Sequence, residues 1–248
     1  MRPTIQFINN STVISNEQLK PIVDAVQIQV SRDFSPIWNM NANLTLLPQG
    51  QKPDPKNWWC GIFNDSTQAG ALGFHDYGNG GQPLGKVFAK SDIMAGSSIS
   101  VTISHEILEM LADPYINSCM LSSDGKRFFA TEVCDAVEDD QFGYNITLPS
   151  GQTILVSDFQ TRAWYGSCPF VTGETIYDFM KHCSQPYEVK IGGYASAYTV
   201  GASDWTEFTA DSHNVAARKP AGSRFERRRR FRANQCGKLS TVDVESNA

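Results

Sequence analysis

The sequence predicts an α+β fold, and three observations carry that expectation. Over the first 115 residues, β-type runs and helical runs follow in the order strand, helix, three strands, helix. The half that follows holds short apolar runs between turn-rich segments, and no internal repeat is visible. Residues of the class AVILMFWYC make up 41% of the 248 positions and charged ones 19%, which excludes a disordered chain and supports a sizeable core.

Thr4 to Ile8 is a short β-type run ended by Asn9, Asn10 and Ser11. Ser15 or Asn16 can cap the helix that follows, with Glu17 in its first turn. Leu19, Ile22, Val23, Val26 and Val30 recur at helical spacing and carry the helix to about Arg32, with Pro21 tolerated near its start. Asn43 to Leu47, Trp58 to Phe63 and Leu84 to Ala89 read as strands. The glycine-rich stretch between the last two reads as a broken strand and a wide turn. Ile99 to Leu111 is a helix without glycine or proline, capped by Ser97, Ser98 or Ser100 and stopped by Pro114.

Beyond it, Phe128 to Val133 is a short strand. Tyr144 to Ile146 and Thr153 to Val156 suggest a hairpin around Leu148-Pro149-Ser150-Gly151. Ile176 to Met180 and Tyr187 to Val189 suggest a last helix and strand. Residues 1–208 are expected to form one domain, with subdomains of about 1–115 and 116–208. Residues 209–248 are expected to form a polar, partly basic, flexible tail.

Charge is uneven along the chain. The first 215 residues carry 12 basic and 23 acidic side chains, whereas residues 216–232 carry 8 basic and 1 acidic. The acidic body is a poor partner for a nucleic-acid backbone. The run Arg227-Arg228-Arg229-Arg230-Phe231-Arg232 offers a contact for nucleic acid or another anionic partner, or is a solvated linker. No stretch reaches the roughly 18–20 apolar residues of a membrane span. The N-terminus lacks the apolar core of a signal peptide, so a reducing cytoplasm is the default compartment. The six cysteines form no CxxC pair, so a structural zinc knuckle is not expected.

Chemistry concentrates in Ser104-His105-Glu106-Ile107-Leu108-Glu109. His105 and Glu109 stand four apart and share a helix face, so an imidazole and a carboxylate can grip one metal ion. Glu106, one step round the helix, can reach a metal-bound water and take its proton. A third ligand must come from elsewhere. Glu132-Val133-Cys134-Asp135-Ala136-Val137-Glu138-Asp139-Asp140 holds five carboxylates that must be solvated or neutralised. Glu132 can supply that ligand. Asp135 can be a ligand or can accept from the free nitrogen of His105. The spacing is not that of a calcium-binding EF-hand loop.

Other residues carry weaker signals. His75 reads as a substitute ligand, a cleft-lining residue, or a turn histidine bonded to Asp76. His182 adjoins Cys183, but adjacency does not establish a nucleophilic pair, and His213 lies in the tail. Tyr165 or Tyr194 can stabilise an oxyanion by hydrogen bonding. Gly78-Asn79-Gly80-Gly81 lacks the lysine of a phosphate loop and reads as a turn.

The segment His105-Glu106-Ile107-Leu108-Glu109 resembles the HExxH signature of zinc metallopeptidases, with glutamate in place of the second histidine. SHEILEMLADP followed by EVCD also resembles an uncharacterised group of zincin-like proteins. The resemblance covers roughly residues 1–140. It implies a zincin-like fold with a mixed sheet above the active-site helix and an edge strand that holds a peptide substrate, here the strand at Leu84 to Ala89. It implies a metallohydrolase in which His105 and Glu109 bind the metal, Glu106 is the base, Glu132 is the downstream ligand and Asp135 a supporting acid. The implied ion is Zn2+. A set richer in carboxylate makes a weaker Lewis acid and lowers the preference for zinc relative to Ca2+, Mg2+ or Mn2+. A metal-stabilised protein without catalysis, or a nucleic-acid-associated protein acting through residues 218–232, are the alternative functions.

Overall fold

The computed structural model describes residues 2–66, 71–78, 80–166 and 175–210. Its first layer is a five-stranded mixed sheet built from β1 (Thr4–Asn9), β2 (Asn43–Leu46), β3 (Trp58–Phe63), β4 (Gly73–Tyr77) and β5 (Pro83–Phe88), in the order β2-β1-β3-β5-β4. The first four in that row are parallel, and β4 closes the edge antiparallel to β5, with His75 opposite Gly85. The expected edge strand at Leu84 to Ala89 is therefore corrected. β5 is hydrogen-bonded on both sides, and the outer edge belongs to β4.

α1 (Asn16–Ile28) starts at Ser15, whose side chain accepts the Gln18 N–H while Gln18 returns a bond to the Ser15 N–H. This reciprocal cap satisfies two donors that the first helical turn leaves open. The helix does not stop near Arg32. It widens into a π-helical turn, Gln29–Phe34, and continues as α2 (Ser35–Trp38), which ends on Asn39 in the left-handed region. Long-range bonds hold the wide turn: Gln29 donates to the Ser157 carbonyl at 2.7 Å, and Asp33 accepts from the Tyr144 hydroxyl at 2.8 Å. A short α3 (Ala89–Ala95), absent from the sequence reading, links β5 to α4 (Ile99–Ala112). Every side chain of α4 from Ile103 to Ala112 is buried, as expected of a helix with core on all sides. It packs on β4 and β5 from one side and on the hairpin strand β9 from another.

The C-terminal half is more regular than the sequence suggests. β6 (Cys119–Leu121), β7 (Arg127–Ala130), β10 (Tyr194–Thr199) and β11 (Trp205–Thr209) form an antiparallel sheet in the order β11-β10-β7-β6. β8 (Tyr144–Thr147) and β9 (Thr153–Val156) form the expected hairpin. The expected helix at Ile176 to Met180 and strand at Tyr187 to Val189 are absent from this segment. Instead Asp178 makes an isolated bridge with Gln160, and its side chain accepts the N–H groups of His182 and Cys183. These local side-chain bonds outcompete the helical ones. One buried cluster runs from Ile5 through α1, α4 and β9 to Ala197. Among the described residues no helix is long and apolar enough to cross a membrane. The basic run and all but the first two residues of the expected tail lie outside the described residues.

Candidate metal centre

α4 brings its two ligand candidates inward. His105 Nε2 lies 3.1 Å from Glu109 Oε2, with Glu109 fully buried and His105 8% exposed. Asp135, on a 3-10 turn after β7, approaches the same nitrogen, with Oδ1 at 3.3 Å. Donor atoms held about 2.0–2.1 Å from a tetrahedral ion stand about 3.3 Å apart, so each of these two spacings from His105 Nε2 is one that ligands of a shared divalent cation show. Burial alone would lower the His105 imidazole. The charge of Glu109 and the hydrogen bonds to Asp135 and Glu109 outweigh it and carry the group well above its ordinary value. The positive charge so favoured is the imidazole's own proton, which a cation bound at Nε2 would have to displace.

Glu106 projects beside them. Its carboxylate is buried, and Oε2 has no hydrogen-bond partner. β4 crosses directly above: a Cβ at Gly73 would fall 2.7 Å from Glu106 Oε1 and 2.9 Å from Thr102 Cγ2, so only glycine lets the strand come this close. Thr102 in turn donates to Asp92 at 2.7 Å. Burial, with a smaller contribution from Asp140 and Glu106, pushes the Asp92 carboxyl up to about 7, and the Thr102 bond opposes that rise.

Two residues from β4 and the loop after β7 extend the centre. His75 is wholly buried, with Nδ1 at 3.6 Å from Glu109 Oε2 and 3.8 Å from Glu106 Oε2, and Nε2 at 3.8 Å from Glu132 Oε2. It is therefore neither a turn histidine nor a surface one. Glu132 sits on the His75 side of Glu109, and Asp135 on the His105 side. Cys134 Sγ is a further potential donor, within 4.8 Å of ligand atoms of His105 and Glu109, and its N–H donates to Glu109 Oε1 at 3.3 Å. Burial raises its thiol well above the ordinary range. The sequence offers no spacing signal for Cys134, and His75 becomes a neighbour of α4 only through the β4–β5 pairing.

The acidic run divides by task. Glu132 and Asp135 face inward, whereas Asp139 accepts the Gln141 N–H and Asp140 accepts the Ser98 N–H at 2.8 Å, where α4 begins. Asp140 thus satisfies the N–H of the N-cap residue itself, and the Ser98 side chain makes no cap bond to the first turn. The loop carrying Glu132 is fixed from behind: the Tyr165 hydroxyl donates to the Glu132 carbonyl at 3.0 Å, and the Gln160 N–H donates to the Val133 carbonyl. Tyr165 is wholly buried and uses its hydroxyl on that backbone, which makes it a positioning residue. Tyr194 begins β10, opposite Thr209.

His182, Asp158 and Asp178 form a second group. Asp158 accepts the N–H groups of Phe159 and Met180, and its carboxyl is pushed up to about 9 by burial and by the neighbouring Asp178. Backbone donors and a shared proton account for this pair without an ion. Compared with known proteins, the chain matches no family model, no curated protein and no solved structure.

Proposed function

We propose that the protein is a metal-dependent hydrolase, and within that class a zinc metallopeptidase with a zincin-like catalytic domain. The observation that carries the reading is the placing of Glu109 at 3.1 Å and Asp135 at 3.3 Å from His105 Nε2, beside a buried Glu106 whose Oε2 lacks a hydrogen-bond partner. The donor set suits zinc and also admits Mn2+, Mg2+ or Ca2+ because carboxylates outnumber imidazoles. A divalent cation held there supplies Lewis acidity and a water that ionises near neutral pH.

The remaining work falls to the chain. Glu106 takes the water proton at a carboxylate oxygen and returns it to the departing amine. Low exposure strengthens its interaction with a developing charge. β4 at Gly73 lies close against the Glu106 side chain. An extended peptide pairs with the outer edge of β4, the strand that also carries His75.

The test uses the full-length chain, stripped of metal and reloaded with zinc, against a mixture of unstructured peptides. Glu106→Gln is expected to retain its ion and lose about 10²–10⁴-fold in turnover. Hydrolysis that persists in metal-free protein, or undiminished in Glu106→Gln, overturns the proposal.

A second reading, a metal-stabilised protein without catalysis, is favoured by one observation. Apart from His105, none of the donor side chains is more than 3% exposed, which suits a structural ion. Zinc binding with a raised Tm and no turnover on any peptide selects that reading.

A further inference from the structure

The geometry points to a centre for two divalent cations that share Glu109 as a bridging carboxylate. This inference rests on the metal-binding reading above and extends it. Two groups of potential ligands meet at that residue: His105 and Glu109 with Cys134, and His75 and Glu109 with Glu132, while Asp135 stands against His105 at 3.3 Å. The ligand atoms of His75, Glu109 and Glu132 lie within 4.8 Å of one another. Glu109 Oε2 stands 3.1 Å from His105 Nε2 and 3.6 Å from His75 Nδ1, so one carboxylate faces an imidazole on each flank.

Charge supports the same count. Glu106, Glu109, Glu132 and Asp135 are all at least nine-tenths buried, and among the described residues no lysine or arginine is buried. With metal-ligating imidazoles neutral, one divalent cation cancels half of the four carboxylate charges and a second cancels the rest. Four carboxylates gathered in a site this dry favour bound cations. An independent observation points into the second position: Glu106 Oε2 is buried, has no hydrogen-bond partner, and faces His75 Nδ1 at 3.8 Å. The spacings around His75, 3.6–3.8 Å, exceed those around His105. Nδ1 faces Glu109 and Glu106 and Nε2 faces Glu132, so an ion there takes one of the two nitrogens and the other nitrogen is left to a neighbouring carboxylate. Paired ions joined by a carboxylate are a known device for holding both the attacking and the leaving oxygen in hydrolysis.

The experiment counts ions. The full-length chain is stripped with chelator, titrated calorimetrically with Zn2+ and separately with Mn2+, and its bound metal measured by elemental analysis. The wild type is expected to hold two ions, His75→Ala one, and Glu109→Gln none at concentrations that saturate the wild type. Asp178→Asn is expected to keep two, which places neither ion in the Asp158–Asp178 group. Paramagnetic resonance of the Mn2+-loaded wild type is expected to show two coupled spins, a readout that needs no variant. A single ion in the wild type overturns the two-ion centre and leaves the one-ion hydrolase standing. No ion overturns both. Two ions that survive His75→Ala, or that give the spectrum of isolated spins, also overturn it.

Discussion

Tyr165 shows how the centre is held from outside. Its ring lies among Trp38 and Trp164, and its hydroxyl reaches the Glu132 carbonyl. Tyr165→Phe keeps the packing and leaves that buried carbonyl short of a donor, so a loss of about 1–2 kcal/mol in stability is expected from chemical denaturation. The same change loosens the loop bearing Glu132 and Asp135, and a weaker metal affinity by calorimetry is expected with it. The residues of the centre differ in how readily sequence discloses them. His105, Glu106 and Glu109 announce themselves because helical spacing converts directly into a shared face. Asp135 and Glu132 stand out as carboxylates too numerous to be left without compensation, but their two sides of Glu109 follow from the path of the loop. His75 stays hidden: Asp76 and the glycines at 73 and 78 around it read as a turn, and its partners Glu106, Glu109 and Glu132 lie 31, 34 and 57 positions on, across a strand pairing that leaves no periodic trace.

Among elements, α1 is anchored by its start and α4 by its surroundings. The α1 cap is local, with Ser15 and Gln18 exchanging bonds in an exposed position. Ser15→Ala is therefore expected to cost about 1 kcal/mol in urea unfolding, with the metal content unchanged. At the start of α4 the Ser98 N–H is taken by Asp140, 42 positions away, so nothing next to Ser98 forecasts it. The strands tell a similar story. β3 and the β8–β9 hairpin carry dense apolar or alternating residues, and their pattern matches their pairing. β10 buries only Ala195 and Ala197 on its inward face, so its alternation is between small and aromatic side chains and carries little hydrophobic contrast. At Gln29 an unbranched polar side chain inside the helix finds the Ser157 carbonyl, and the helix widens and continues where periodicity alone suggests an end near Arg32.

At the scale of the whole molecule, metal and proton should both set stability. An ion that joins α4, β4 and the loop after β7 ties three separate stretches of chain together, so it binds the folded state and not the unfolded one. At a free concentration one hundred times its dissociation constant a single ion stabilises by about 2.7 kcal/mol, which in a chain of this size raises Tm by roughly 5–10 °C. Chelation is expected to reverse that shift in a scanning calorimeter. Protons act through a different place. Asp158 has a carboxyl raised to about 9 in the fold by burial and by Asp178, against an ordinary value near 3.8 in the unfolded chain. Between those two values the folded state holds a proton that the unfolded state has released, so stability falls as pH rises through the window and levels off above about 9. Asp158→Asn presents a permanently neutral group that still accepts from the Phe159 and Met180 N–H groups and can donate to Asp178. Urea midpoints measured at pH 5 and pH 8 on metal-free protein are expected to drop less in Asp158→Asn than in the wild type. Equal drops in the two proteins would show that Asp158 ionises in the fold much as it does in the unfolded chain.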